Sequence, residues 1–149
     1  MIDQKELIDD FRKHNGQVTK GYFKGRNLLL LRTRGAKSGR ENVAPLAYTP
    51  DDGRILVAAS KGGHHQHPAW YFNLLADPVV SVELGGETFQ ARATPVASGA
   101  ERRRLYDKHA SDKPGFWEYE KKTSREIPIV ILERIDYGTG SKKTVSRSP

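Results

Sequence analysis

NLLLLRT (27–33), RGAKSGRE (34–41), VAPLAYT (43–49) and RILVAAS (54–60) form the stretch on which the fold turns. The first run is continuously apolar, the second is a glycine-containing turn, and the third and fourth resume an extended pattern on either side of the turn signal TPDDG (49–53). Short apolar runs bounded by Gly, Pro and Asp read as β-strands, so three antiparallel strands are expected before residue 61.

Working outward, KGGHHQH (61–67) leads to PAWYFNLLA (68–76). Pro68 is suited to the first helical position, and Trp70 with Leu74 and Tyr71 with Leu75 stand at i,i+4. Asp77-Pro78 stops that helix. VVSVEL (79–84), Gly85-Gly86 and ETFQARATPVA (87–97) read as a hairpin, because Gly-Gly accepts the positive φ of a tight turn. Ser98 through Glu101 has the spacing of a capping box opening a helix to about Ala110. A shorter aromatic helix, DKPGFWEYEKK, comes next, and IPIVILERI (127–135) supplies a sixth strand. The order β-β-β-α-β-β-α-α-β lacks a helix between each pair of strands. This argues against a doubly wound parallel sheet and for a mainly β (α+β) fold, a largely antiparallel barrel with flanking helices.

The 149 residues fit one domain, read as 1–136 including an N-terminal helix, followed by a flexible basic tail over 137–149. There are no cysteines, which excludes disulfides, thiolate metal sites and cysteine nucleophiles. No run approaches a membrane span, and MIDQKELIDDFRKHNG reads as an amphipathic helix rather than a secretion signal, so a cytoplasmic protein is expected. That helix either packs on the barrel or touches the inner face of a membrane as a peripheral contact, packing being favoured. The net charge is +7, but Lys142, Lys143 and Arg147 lie in the tail. Setting them aside leaves about +4, which suits an anionic small ligand, an acidic membrane surface or weak nucleic-acid contact about equally well, and no specific nucleic-acid partner is expected.

The chemistry-bearing positions are few. Gly35 and Gly39 allow a turn tight enough to present amides to an oxyanion, and Lys37 and Ser38 add an ammonium and a hydroxyl. Lys61, followed by Gly62-Gly63, and Arg40 bring two more cations toward the same anion, for which a phosphate is the natural guest. The alternative is that these are ordinary solvated loop charges. Ala36 before Lys37, and a strand rather than a helix after it, disfavour a Walker A loop. His64, His65 and His67 are close in sequence, but without a helical His pair flanking a Glu they do not read as a metal site. They are either surface groups or neutral imidazoles beside a ligand.

Three ordered segments, LLLRTRGAKSGRENVAPLAY, VAASKGGHHQHPAWYFNLLADPVVSV and IPIVILER, together resemble the deazaflavin (F420)-dependent nitroreductase and quinone reductase family. That resemblance implies a six-stranded antiparallel split β-barrel, like those that bind flavin mononucleotide (FMN). It implies hydride transfer from the reduced coenzyme F420 to a conjugated hydrophobic acceptor such as a quinone, an activated lactone or a nitroaromatic. The phosphate-bearing tail is then expected against Ala36, Lys37, Ser38, Gly39, Arg40 and Lys61. The ring system falls beside Ala58, Ala59, Ser60, Pro68, Ala69 and Trp70. Asn42, Val43, Pro45, Leu46 and Ala47 are implied as further coenzyme contacts, and Tyr71 and Asn73 as the helix-side wall. Phe116, Trp117 and Tyr119 fall in a lid segment over the substrate. Phe116 stands where the family has a phenol, so Tyr119 is the available phenol and Ser60 is expected to face the acceptor. FMN as the ligand, or a coenzyme carrier without turnover, are the alternatives, and the assembly is a monomer or a homodimer.

Overall fold

Seven strands and four helices follow one another through residues 2–135, which the computed structural model describes. They are α1 (Gln4–Lys13), β1 (Leu28–Arg34), β2 (Glu41–Ala47), β3 (Thr49–Asp51), β4 (Arg54–Ala58), α2 (Ala69–Ala76), β5 (Val79–Leu84), β6 (Glu87–Val96), α3 (Gly99–Asp112), α4 (Gly115–Lys121) and β7 (Ile129–Ile135). A short 3-10 turn at Lys61–Gly63 joins β4 to α2. The basic tail expected over 137–149 lies outside the described residues.

All six strand pairings are antiparallel, in the spatial order β2-β1-β5-β6-β7-β4-β3. The expectation of six strands closed into a barrel is therefore corrected to seven strands in a sheet that is open by hydrogen bonding. The extra strand is β3, where Asp52 (φ 52°) and Gly53 (φ 84°) make a two-residue turn and Thr49 pairs with Leu56. Positive φ at both central residues gives a turn whose twist suits a hairpin. Pro50 is tolerated because β3 is an edge strand. Only Tyr48 separates β2 from β3, the two outermost strands, so the chain itself brings the edges together and the sheet curls.

Period-two alternation sorts the side chains into layers. Leu29 and Leu31 of β1, Val57 of β4, Val80 and Val82 of β5 and Val130 and Leu132 of β7 meet Trp70, Tyr71 and Leu74 of α2 in one cluster. The alternate residues face outward: Leu28 and Leu30 pack on Leu7 and Phe11 of α1, and Leu56, Ile129 and Ile131 pack on Leu105 and Tyr106 of α3. Burial on both faces explains the unbroken LLLL of β1. The apolar stripe of α1 is consumed by this packing, and its Asp3 cap accepts the Glu6 amide at 2.8 Å.

Two helix starts differ from the sequence reading. Pro68 is the extended residue before α2 rather than its first turn. Ser98 precedes α3 without a side-chain cap bond, and Glu101 pairs instead with Arg104 at 2.8 Å.

Candidate active site

Two depressions meet at the start of α2. One is a cleft of about 660 Å³ bordered by Gly35, Ala36, Lys37, Ser38, Arg40, Asn42, Ala69 and Asn73. The other is a cavity of about 580 Å³ whose walls include Pro45, Leu46 and Ala47 of β2, Ala58, Ser60 and Lys61 after β4, Pro68, Trp70, and Phe116 and Tyr119 of α4. Ala69 borders the cleft and Trp70 the cavity, so adjacent residues of one helix join the cleft of Lys37, Arg40 and Glu41 to a cavity whose aliphatic and aromatic walls also carry Arg26, Lys61 and Lys113.

The loop that makes the cleft is closed by its own hydrogen bonds. Gly35 N–H donates to the Arg40 carbonyl at 2.7 Å, Gly39 N–H to the Gly35 carbonyl at 2.9 Å, and Arg40 N–H to Ser38 Oγ at 3.1 Å. A Cβ on Gly35 would stand 2.5 Å from Ser38 Oγ, so this closure requires glycine there. The amides of Gly35 and Gly39 are thus spent inside the loop. The N–H groups of Lys37 and Ser38 have no partner among the described residues and are the ones available to an anion. Ser38 Oγ accepts from Arg40, which leaves its own proton to donate. Among the described residues Lys37, Arg40 and Lys61 have no carboxylate partner, in contrast to Arg12, Arg32, Arg54 and Arg103. Free amides, a free hydroxyl proton and unpaired cations are the donor set a phosphate requires, so the residues present fit the coenzyme's tail.

The loop is anchored from behind by Asn73. Its Oδ1 accepts the Ala36 N–H at 3.0 Å and its Nδ2 donates to Thr33 Oγ1 at 3.0 Å. Asn73 borders the cleft, but both ends of its amide are engaged by the protein.

On the cavity side, Lys61 (φ 47°), Gly62 (φ 62°) and Gly63 (φ 84°) are successive left-handed residues. For Lys61 this is a strained conformation that surrounding structure must hold. Arg125 does so: Nε donates to the His64 carbonyl at 2.9 Å, and Nη2 to the carbonyls of Ala59 and Ser60 at 3.1 and 3.0 Å. Its Nη1 lies 2.9 Å from His67 Nδ1. A guanidinium only donates, so His67 Nδ1 accepts and the ring is neutral. Burial, then the Arg125 charge, holds the His67 imidazole below its usual range. His64 is lowered by desolvation first and by His65, Lys61 and Arg125 next. His64 and His65 stack with centroids 4.3 Å apart. Among the described residues no three His, Cys, Asp or Glu side chains gather as metal ligands.

The structure gathers most of the expected site residues and sets five aside. Val43 packs with the α1 cluster, Ala59 is fully buried in the sheet core, and the Tyr71 ring meets that of His67 at 4.8 Å and a 45° tilt. Gly39 faces a separate shallow depression beside Arg34 and Asp77. Trp117 turns toward Tyr106, whereas Phe116 and Tyr119 face the cavity. The Tyr106 hydroxyl donates to the Phe116 carbonyl at 2.6 Å, and burial pushes that phenol up to about 12, which keeps the donor proton in place.

Arg125, Thr49, His109 and Lys113 are the residues that sequence reasoning missed. Their telling contacts are distant in sequence: Arg125 with His67, Thr49 with His109, and Lys113, which borders the cavity itself, with Thr49. Tyr22, Phe23, Gly25, Arg26 and Asn27 also border the cavity.

The chain has relatives among known proteins. It is 34% identical over 126 residues to an F420H(2)-dependent quinone reductase of Mycobacterium tuberculosis, covering 83% of this chain and 85% of that protein. Among solved structures, an F420-H2 dependent reductase matches at 38% identity and a TM-score of 0.65, covering 72% of this chain and 95% of the other. A structure described as a domain-swapped dimer matches at 36% identity and a TM-score of 0.67, covering 87% and 94%. The F420H(2)-dependent quinone reductase family matches residues 4–134, nearly all of the described chain. With its antiparallel sheet and its anion loop beside a cavity walled by Trp70 and Phe116, the chain belongs to the F420H(2)-dependent quinone reductase family, whose cofactor is coenzyme F420.

Proposed function

We propose that this chain reduces a quinone-type acceptor, holding the coenzyme's phosphate and acidic tail in the Lys37–Arg40 cleft and its ring in the cavity beside Ala58, Ser60 and Trp70. The observation that carries the reading is the junction at Ala69 and Trp70, which sets the anion loop of Lys37 and Ser38 beside a cavity walled by Ala58, Pro68, Trp70 and Phe116, so that one elongated ligand can reach both. When bound, the reduced deazaflavin supplies a hydride, a two-electron unit. The chain's own residues bind and orient. Lys37, Ser38 and Arg40 fix the tail, Lys61 brings a further cation to the bend between the two depressions, and Trp70 forms a wall for the ring. Phe116 and Tyr119 cover the opposite side of the cavity, where a flat hydrophobic acceptor fits between them and the ring. Ser60, just after β4, is the hydroxyl placed to face that acceptor.

The test is direct. Reduced coenzyme is expected to bind and to lose two electrons when menadione is added, and FMN is not expected to replace it. A protein that purifies with bound FMN and ignores the deazaflavin overturns the reading.

Two finer points rest on the same footing. Phe72 and Leu75 are both half-exposed on α2, and with the domain-swapped dimer among the similar structures they support a second copy of this chain as partner. Light scattering at micromolar concentration decides between monomer and dimer. No helix among the described residues is long and apolar enough to cross a membrane. With Leu7 and Phe11 of α1 buried on β1, a vesicle-flotation assay is expected to show no tight membrane binding through that helix.

A further inference from the structure

We propose that Lys113 is the proton donor to the reduced acceptor, held in place by Thr49 and His109 as positioning residues. The inference rests on the quinone-reductase reading and names the group that completes it.

Lys113 borders the cavity, next to Pro114 and Phe116. It is the residue at the junction of α3 and α4, where its N–H donates to the carbonyls of His109 and Ala110, both at 3.1 Å, and its carbonyl accepts from Phe116 N–H at 3.0 Å. Pro114 follows and fixes the backbone beyond it. The side chain is 14% exposed. Its Nζ donates to Thr49 Oγ1 at 2.9 Å and to the Asp112 carboxylate at 2.8 Å. An ammonium has three N–H bonds, so one remains for a ligand.

Thr49 is itself buried, and its Oγ1 lies 2.8 Å from Nδ1 of the fully buried His109. Because Lys113 already occupies an Oγ1 lone pair, sending the Thr49 proton to Nδ1 leaves the fewest orphaned groups. The His109 proton then sits on Nε2, which has no hydrogen-bond partner among the described residues. The Phe116 ring lies 4.4 Å from the His109 ring, nearly perpendicular to it. A buried, incompletely satisfied imidazole is expensive, and here it orders a threonine hydroxyl that in turn orders a lysine on the cavity wall. The device stands one helical turn from Phe116, whose ring has no proton to give.

The acceptor gains two electrons and one hydrogen from the reduced deazaflavin, which is oxidised, and one acceptor oxygen becomes an oxyanion. An Nζ–H bond of Lys113 breaks as an O–H bond forms on that oxygen, giving the neutral hydroquinone. The lysine amine regains its proton from solvent beside Asp112. Before transfer the ammonium also stabilises the developing negative charge. The titratable and charged groups around Lys113 are Asp112 and His109 on α3, and Arg26, Lys61, Tyr22 and Tyr119 on the cavity wall.

The test uses the full chain and three measurements. Coenzyme titration comes first: K113M and K113R are expected to bind it within about twofold of the parent, because Lys113 is remote from the tail cleft. If the parent protein does not bind coenzyme, the quinone-reductase reading fails, and that outcome is distinct from failure here. Second, a hydroxynaphthoquinone anion, a mimic of the reduced acceptor's oxyanion, is titrated into the coenzyme-free protein by absorbance. K113M is expected to weaken it at least about tenfold and K113R about threefold or less, since a guanidinium keeps the charge. Third, single-turnover reduction of menadione is expected to slow about a hundredfold in both variants, since arginine holds its proton, with little change in KM. T49V is expected to slow the same step severalfold and T49S to restore it, a rescue that a merely structural role would not require. Parent-like anion binding and turnover in K113M overturns the proposal. If K113M does not fold, parent-like turnover in K113R overturns it.

Discussion

Asn73 Oδ1 accepts the Ala36 N–H at 3.0 Å, tying the fifth residue of α2 to a loop 37 residues earlier in the chain. With its Nδ2 on Thr33 Oγ1 at 3.0 Å, the one amide spans β1, the anion loop and α2. N73A removes both bonds from a buried position and is expected to cost about 1–3 kcal/mol of stability. Loosening the loop is expected to weaken coenzyme binding about tenfold. N73D is more informative: the carboxylate still accepts from Ala36, but it adds a negative charge to the cleft. It is therefore expected to hurt binding more than N73A and stability less. Paired thermal melts and fluorescence titrations check this, and equal losses in both variants would refute it.

The unpaired cations lead to a second expectation. Lys37 and Lys61 border different depressions, one the cleft and one the cavity, so a ligand anion reaching both must lie between them. K37A and K61A are each expected to lower coenzyme affinity by about tenfold or more, the scale of a charge-assisted hydrogen bond, with melting temperature nearly unchanged. Raising ionic strength from 0.05 to about 0.5 M is expected to reproduce part of the loss in the parent and less of it in the double variant. A salt-insensitive parent would place the phosphate elsewhere.

How much of this was legible in the sequence follows from the range of the interactions. The Gly85-Gly86 hairpin and the apolar run of β1 were readable because turn chemistry and alternation are local. β3 was not, since Thr49–Asp51 lies inside a turn signal and contains a proline that only an edge strand tolerates. Pro95 in β6 is accommodated for a related reason: the β5 ladder ends at Arg92, so no strand on that side needs its N–H. The cationic loop is legible because its glycines mark the turn, but which amides stay open is not: Gly35 and Gly39 spend theirs on closure, and Lys37 and Ser38 keep theirs. Arg125, Asn73 and the Lys113–Thr49–His109 chain carry no local pattern, because their partners stand 37 to 66 residues away.

Arg125 is expected to be the most sensitive position outside the depressions. One guanidinium holds the carbonyls of Ala59, Ser60 and His64 and the ring of His67, and with them the left-handed Lys61. R125K keeps the charge but loses the planar fork, since an ammonium cannot satisfy four acceptors in one plane. The expected result is faster amide exchange over residues 60–64, a melting temperature lower by several degrees and coenzyme affinity reduced about tenfold. Unchanged exchange in that segment would show that the fork is dispensable.

His109 sets the pH dependence of stability. Burial, followed by the Lys113 charge, lowers its imidazole from 6.5 to about 3. Between those values the unfolded chain binds a proton that the folded protein refuses, so stability falls as pH drops through that window, by up to about 1.4 kcal/mol per pH unit. Asp51 acts in the same direction but lower. Hydrogen bonds from Lys108 at 2.7 Å and Arg54 at 2.6 Å bring it from 3.8 to about 2, and its contribution is lost only as pH falls below 3.8. Acid sensitivity is therefore expected to begin near pH 6, well above the carboxylate range. H109N keeps an acceptor for the Thr49 hydroxyl without a group that titrates there. Its stability at pH 7 is expected to fall, since a ring leaves a packed site beside Phe116, while its slope between pH 6.5 and 4 flattens to the remainder set by His64 and His67, whose imidazoles are also lowered. Urea midpoints at half-unit pH steps separate the two effects. A parent-like slope in H109N would mean that another group governs acid unfolding.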